Sequence, residues 1–207
     1  SWIPVMKTAL AGWNEQAAAD SVAYRIVRAY RYEVMKTVLS GFAAAVRQHH
    51  ENFELPRLSQ TESILWQLIE HQPQHLLPAA YKTWDELLYR CAQTIAAQLQ
   101  QDGGITERNW GMQNAARIKH PLSQKLPGWI SQWLDMPHDP LPGDHNMPRV
   151  QSPNFGASQR SVVAPGQEEQ GYFDMPGGQS GHPLSPYYGS GHANWVSGKP
   201  TAFLPSV

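Results

Sequence analysis

The amino-acid sequence predicts an α+β fold in which a helical layer comes first and short antiparallel strands follow. Only two of the 16 glycines, Gly12 and Gly41, precede residue 103, and only four of the 17 prolines do. Because glycine and proline interrupt helices and mark turns, this distribution permits long helices in the first half alone. We therefore divide the chain into a helical segment, residues 1–105, and a Gly- and Pro-rich region of strands and loops, residues 106–207.

The longest predicted helix runs from about residue 15 to about residue 49. Apolar residues recur there every four positions, which is the spacing of one face of an amphipathic helix. Gly41 lies inside this segment and is the position where we expect a bend. The apolar stripe consists of Val22, Ile26, Tyr30, Val34, Val38, Phe42 and Val46.

Two shorter helices each begin with a capping-box pattern, Ser-Gln-Thr-Glu at 59–62 and Thr-Trp-Asp-Glu at 83–86. Pro73 is expected to limit the first helix, and Gly103-Gly104 to end the second. Cys91 is the one cysteine and lies in the apolar stripe of the second helix. It is therefore predicted to be buried, and an internal disulfide is excluded.

Two strands are predicted in the second half, at residues 160–164 and 171–175. Pro and Gly stop each of them, and the six residues between them suit an antiparallel hairpin. Two strands alone make a marginal sheet, so we expect partner strands from polypeptide that this sequence does not contain.

Charge and hydropathy exclude two classes of partner. The formal net charge is −1 at pH 7 and the basic residues are scattered, so there is no electrostatic basis for binding nucleic acid. Apolar stretches are short and interrupted, so no membrane span is predicted. The sequence also contains neither a phosphate-binding loop nor a dinucleotide-binding fingerprint.

The stretch Gly-Gly-Gln-Ser-Gly-His is the main candidate site. A nucleophile elbow needs a small residue two positions after the serine, and His182 occupies that place after Ser180. We predict a tight structural turn in which at least one glycine has a positive φ and a Gln179 or Ser180 side chain bonds to the backbone. The rival hypothesis makes Ser180 a nucleophile and His182 its base, but it lacks an orienting acid. The turn comprises Gly177, Gly178, Gln179, Ser180, Gly181 and His182.

Other polar groups form no complete site, and neither a catalytic nor a metal-binding residue is assigned. His71 and His75 have the i, i+4 spacing of a metal pair, but Pro73 lies between them. The pairs His138-Asp139 and Asp144-His145 lie in a Pro-rich loop, where a cation site is conceivable and turn residues are commoner. Glu168-Glu169 is predicted to be a solvated loop charge.

Several short motifs occupy the second half of the chain. They are Asn109-Trp110-Gly111, His120-Pro121-Leu122, Pro142-Gly143-Asp144, Met147-Pro148-Arg149-Val150, Phe155-Gly156-Ala157-Ser158 with Arg160, Pro165-Gly166 with Glu168-Glu169, residues 175–188, and the closing run from Trp195 to Pro205. Together these motifs resemble the penicillin acylase (penicillin amidase) family. The resemblance is specific between residues 80 and 207, whereas the first helices are similar only in general character.

The resemblance implies an N-terminal-nucleophile hydrolase. Such enzymes are made as a precursor that cleaves itself, and the large subunit then begins with a serine. That hydroxyl attacks an amide carbonyl while its own α-amine, which titrates near neutrality, serves as base. In such a protein residues 106–207 would complete an αββα sandwich. Here Ser1 is followed by Trp2 and not by the asparagine typical of the family, so this chain would be the C-terminal part of the large subunit, without the nucleophile.

The resemblance also sets expectations for substrate, partners and location. The substrate would be a small N-acyl compound, such as a penicillin or an acyl-homoserine lactone. The partners would be the small subunit and the N-terminal part of the large subunit. No cofactor is expected in this chain, calcium belongs to some parent enzymes, and the location would be periplasmic or secreted. The alternative is a stand-alone helical interaction domain without catalytic activity, and the full precursor sequence separates the two.

Overall fold

The computed structural model describes residues 1–54, 60–152 and 155–204. These residues form two compact units. The first unit comprises Ser1–Gln16 and Val22–Arg108, and the second comprises Ala17–Ser21 and the chain from Asn109 onward. Described residues of the first unit form helices alone, and those of the second form short helices and short antiparallel strands, so the predicted α+β class is confirmed.

In the first unit, the described residues form four α-helices: α1 (Trp2–Ala11), α2 (Val22–Arg47), α3 (Glu62–His71) and α4 (Trp84–Gln101). Two buried apolar clusters hold them together. Because α2 and α4 contribute to both clusters, they form the centre of the unit. One cluster consists of Val34, Val38, Leu65, Leu68, Trp84, Leu87 and Cys91, and the other of Met6, Ile26, Ile95, Ala96, Leu99 and Ile105.

The long helix begins at Val22 and not near residue 15, which corrects the prediction. The carbonyl groups of Ala17, Ala19 and Ser21 accept hydrogen bonds from backbone N–H groups more than 80 residues away, at 2.9, 2.6 and 3.0 Å. Residues 17–21 therefore belong to the second unit. Helix α1 was not predicted from the sequence. Its Pro4 lies in the first turn, where a backbone N–H has no partner within the helix and its absence costs nothing.

The predicted cap of α4 is present. The Thr83 hydroxyl oxygen accepts from the Glu86 N–H at 3.0 Å, while the Glu86 carboxylate accepts from the Lys82 N–H at 3.0 Å. The capping box is therefore formed with Lys82, one position earlier than usual. For α3 the residue before the helix is Thr61, which makes no capping bond through its side chain, and Ser59 lies outside the described residues.

Gly103 and Gly104 follow α4, with φ of 81° and 106°. The Arg25 guanidinium, 1% exposed, donates to the Gly104 carbonyl at 3.1 Å and to the Asp102 carboxylate at 2.9 Å. The predicted helix end is therefore confirmed. At Gly41 the helix approaches Pro78 closely, since an added Cβ would lie 2.6 Å from the Pro78 ring. The bend expected at this position stays a prediction.

Among its described residues, the second unit has three short α-helices, α5 (Trp110–Gln113), α6 (Gly128–Leu134) and α7 (His192–Ser197), in agreement with the restriction of long helices to the first half. Strands β1 (Gln151–Ser152) and β2 (Phe155–Gly156) pair antiparallel, as do β3 (Arg160–Val162) and β4 (Tyr172–Asp174). The predicted hairpin is confirmed, with both strands shorter than expected and with Arg160 opposite Asp174. Among the described residues, no helix combines the length and apolar character needed to cross a bilayer.

Candidate functional site

The candidate turn lies in a loop that leaves β4 and returns at α7. His192, the first residue of α7, closes the base of this loop. Its Nδ1 lies 2.6 Å from the Pro176 carbonyl oxygen, and its Nε2 lies 2.9 Å from a carboxylate oxygen of Asp139. Both neighbours are acceptors, so each ring N–H that the histidine carries has a partner. Asp139, considered above as part of a cation site, is instead the partner of a buried histidine.

Gly178 is required because the two sides of the loop approach each other closely. Its N–H donates to the Tyr188 carbonyl at 2.9 Å, and an added Cβ would lie 1.7 Å from the Tyr187 carbonyl oxygen. None of Gly177, Gly178 and Gly181 has a positive φ, so that part of the prediction is wrong. The requirement for glycine at 178 comes from space and not from backbone conformation.

Ser180 and His182 are occupied by local bonds of the turn. The Ser180 hydroxyl oxygen accepts from the His182 N–H at 3.2 Å, and His182 Nδ1 accepts from the Leu184 N–H at 3.2 Å. The bond of Ser180 to the backbone was predicted. Gln179 instead bonds to the Met175 sulfur at 3.1 Å. Because His182 turns Nδ1 toward Leu184, the described contacts give no Ser–His pair of the kind that activates a nucleophile.

Tyr188 ties the loop to α6. Its hydroxyl donates to the Leu134 carbonyl, and its ring lies 6.5 Å from that of His120. Burial raises the pKa of the Tyr188 hydroxyl, and the Asp135 carboxylate raises it further. The phenol therefore stays protonated and able to donate over a wide pH range.

Two arginines converge on the C-terminal end of α7. Arg149 and Arg160 both donate to the Trp195 carbonyl, at 3.2 and 2.8 Å, and the Arg160 guanidinium lies 4.9 Å from the centre of the Trp195 ring. Burial lowers the pKa of both groups, and at Arg149 the charge of Arg160 adds to this effect. The Asp174 carboxylate opposes it at Arg160. These cations meet helix carbonyls, where positive charge is favourable.

Trp195 connects separate sequence motifs. Its indole N–H donates to the Ala157 carbonyl at 2.9 Å, and its side chain is 2% exposed. The Asp174 carboxylate, at the end of β4, accepts from the Thr201 N–H at 3.1 Å. The structure thus brings together residues from three of the motifs identified above, those around Arg149, Ala157 with Arg160, and Trp195. No local pattern in the sequence marked His192 or Asp139 for this role, because their partners lie 16 to 53 residues away.

A pocket of about 220 Å³ lies beside this cluster. Trp195, Ile118, Pro176 and Phe155 supply apolar walls, and Gln151 supplies a buried amide. The Gln151 amide N–H donates to the Ser152 carbonyl at 2.8 Å, while its oxygen makes no hydrogen bond. The lining is mostly apolar with few polar groups, but the volume lies below the roughly 300–1,000 Å³ of typical small-molecule sites.

The remaining candidates do not come together. His71 Nδ1 lies 3.0 Å from the Gln67 carbonyl within α3, and Glu168 is an exposed loop residue that accepts from the Gly166 N–H. Asp144 is buried at 3% exposure and accepts from the His145 N–H. In the part of the chain that the structure describes, no three His, Cys, Asp or Glu side chains are grouped to hold a metal ion.

Comparison with known proteins extends the resemblance to nearly the whole chain. The sequence profile of the family described as penicillin amidase matches residues 6–205. The chain belongs to the penicillin amidase family. The match includes the helical first half, which the motifs alone had linked only in general character.

One curated relative shows how much of a related protein this chain covers. The chain is 27% identical to the penicillin acylase 2 proenzyme of Pseudomonas sp. (strain SE83), over 92% of this chain and 25% of that proenzyme. The chain therefore spans about a quarter of the length of the curated relative it matches. In that relative, the matched residues correspond to one part of a longer proenzyme.

Proposed function

We propose that this chain is the C-terminal part of the large subunit of a penicillin amidase-type amidohydrolase, and that the catalytic nucleophile lies in polypeptide outside it. The observation that carries the proposal is the bonding of the Gly177–His182 segment. Ser180 and His182 each serve a backbone N–H of the turn, so this segment acts as a scaffold. In the parent enzyme the turn would lie near the cleft and shape it.

The proposed reaction is hydrolysis of the amide bond of an N-acyl compound. In the parent enzyme an N-terminal serine would attack the carbonyl, form an acyl-enzyme and release the amine, and water would then release the acid. Backbone and side-chain N–H groups would stabilise the oxyanion. Penicillins and acyl-homoserine lactones are the proposed substrate classes, and the name of the relative supports the first of them.

The proposal includes self-cleavage of a precursor, association with a small subunit and with the N-terminal part of the large subunit, and a periplasmic or secreted location. The two-stranded pairings β1–β2 and β3–β4 support the association with further polypeptide, because such short sheets gain stability from further strands. Calcium has no part in the proposed reaction, since the described residues present no cluster of carboxylates that could hold a calcium ion.

An assay of the 207-residue chain with chromogenic phenylacetyl and long-acyl amides tests the proposal. We expect hydrolysis no faster than in buffer, and activity once the upstream polypeptide is present. Ser1 is the internal check, because it lies beside a pocket of about 320 Å³ lined also by Gln100 and Glu107. Hydrolysis by the chain alone that disappears in Ser1→Ala would place the nucleophile at Ser1 and overturn the proposal.

A further inference from the structure

We infer that an exposed apolar surface on the second unit is the face against which the upstream polypeptide of the precursor packs. The inference rests on the proposed function, since it requires that this chain be part of a longer enzyme. The surface consists of Trp129 and Trp133, which lie four residues apart on α6, and we call it the tryptophan face.

The tryptophan face is large for the short helix that carries it. Trp129 is 70% exposed and Trp133 is 73% exposed. Residues four apart on a helix lie on one side, with their Cβ atoms about 6 Å apart. A covered tryptophan buries about 150–250 Å². The pair alone therefore offers roughly 300 Å² or more of apolar area, the size of a patch that marks an interaction site.

The helix beneath the face is held at its C-terminal end. The Asp135 carboxylate accepts from the His120 N–H at 2.9 Å and from the Ser123 hydroxyl, and the Met136 N–H donates to the Ile118 carbonyl at 3.1 Å. Tyr188 from the Gly-Gly-Gln-Ser-Gly loop donates to the Leu134 carbonyl. The two tryptophans are therefore presented by a fixed backbone, which lowers the entropy cost of binding. Tryptophan is also the residue type enriched among the strongest contributors to interfaces.

Charge selects among possible occupants. Residues 117–135 carry three exposed cations, Arg117, Lys119 and Lys125, against the single carboxylate of Asp135, which is already hydrogen-bonded. A symmetric pair of copies would bring like cations together, which is unfavourable. A helix of seven residues is about 10 Å long, and so short an element buries too little area to anchor stably in a membrane. The favoured occupant is an apolar surface with an acidic rim.

The length of the relative outside the matched segment points to upstream polypeptide of the precursor as that occupant. This chain covers 25% of a relative that is named as a proenzyme. In the relative, the segment that corresponds to this chain is therefore accompanied by about three times as many further residues. The upstream polypeptide is the partner that is present at the highest effective concentration, because it is covalently linked to this segment in the precursor.

The chain offers a matched control in Trp66. This residue of α3 is 68% exposed, close to the exposure of Trp129 and Trp133. On its helix face, however, the neighbours at i−4 and i+4 are Glu62 and Glu70, so it lies between carboxylates and has no tryptophan neighbour. Its reactivity reports ordinary surface exposure.

Hydroxyl-radical footprinting with mass spectrometry, on the isolated chain and on the full-length enzyme, tests the inference. We expect Trp129 and Trp133 to be oxidised at least tenfold more slowly in the full-length enzyme, with Trp66 changed by less than twofold.

Three results would overturn the inference. One is equal oxidation of Trp129 and Trp133 in the isolated chain and the full-length enzyme. Another is protection of the isolated chain that increases with its own concentration and accompanies a dimeric mass, which would make a second copy the occupant. The third is protection by vesicles of phosphatidylcholine and phosphatidylglycerol, without protection in the full-length enzyme. Amidase activity, measured separately, distinguishes this inference from the proposed function. An active enzyme with exposed tryptophans refutes this inference alone. An inactive enzyme with protected tryptophans refutes the proposed function alone.

Discussion

The two units are stabilised in different ways. In the first unit the stripes of α2, α3 and α4 bury apolar side chains against each other, and Val38 and Leu87 are fully buried. In the second unit, long polar side chains hold the backbone of loops and short helices, as Arg149 and Arg160 do at the Trp195 carbonyl. The first arrangement tolerates a change of surface residue at most positions. The second depends on individual bonds and close contacts, which is what a scaffold beside a cleft requires.

The largest effect is expected for Leu87→Ala in the first unit. Leu87 is fully buried in the cluster that joins α2, α3 and α4, so its loss leaves a cavity. We expect the free energy of unfolding of this chain to fall by about 2–5 kcal/mol. Urea unfolding measures it, with Ile64→Ala as control, because Ile64 is 59% exposed. Equal effects of the two substitutions would show that the apolar stripe does not stabilise the unit.

Gly178→Val should have the largest effect in the second unit. An added side chain meets the Tyr187 carbonyl oxygen, which is backbone and cannot move aside without opening the loop. We expect a loss of about 3 kcal/mol in stability, seen as a lower melting temperature or soluble yield. Gly181→Val is the matched control, since nothing lies within 4 Å of its added Cβ. If both variants melt alike, the close approach at 178 is not what requires glycine.

His192→Phe tests whether a buried polar pair stabilises the loop. The ring volume is kept, but the hydrogen bonds to the Pro176 carbonyl and the Asp139 carboxylate are lost. We expect a loss of about 1–3 kcal/mol in thermal or urea unfolding. The exposed neighbour His138 supplies the control, as His138→Phe should change stability by less than about 0.5 kcal/mol. A destabilisation no larger than that of the control would contradict the assigned role.

The difference between the two units also explains which elements could be predicted from the sequence. Apolar periodicity located α2, α3 and α4, because that pattern is local and its burial follows from helix geometry. The start of α2 escaped prediction because the carbonyls of Ala17, Ala19 and Ser21 bond to residues more than 80 positions away. In the second unit, helices of four to seven residues are too short to show a period.

The candidate site was predictable only in part. The turn at residues 177–182 and the bond of Ser180 to the backbone followed from its glycines and serine. The reason for glycine at 178 did not, since it depends on Tyr187 across the loop. His192 and Asp139 meet only through the folded chain, 53 residues apart, and the lone histidine carried no signal of that pairing.

The central claim is that this part of the molecule supports catalysis by a nucleophile that lies elsewhere. The most direct measurement is kcat/KM of Ser180→Ala in the full-length enzyme, with folding checked by melting temperature. Because the Ser180 hydroxyl, among the described residues, serves the His182 N–H of its own turn, we expect a value within about tenfold of the parent, equivalent to about 1.4 kcal/mol in the barrier. A well-folded Ser180→Ala enzyme whose kcat/KM falls by several orders of magnitude would contradict the claim and make Ser180 a catalytic residue.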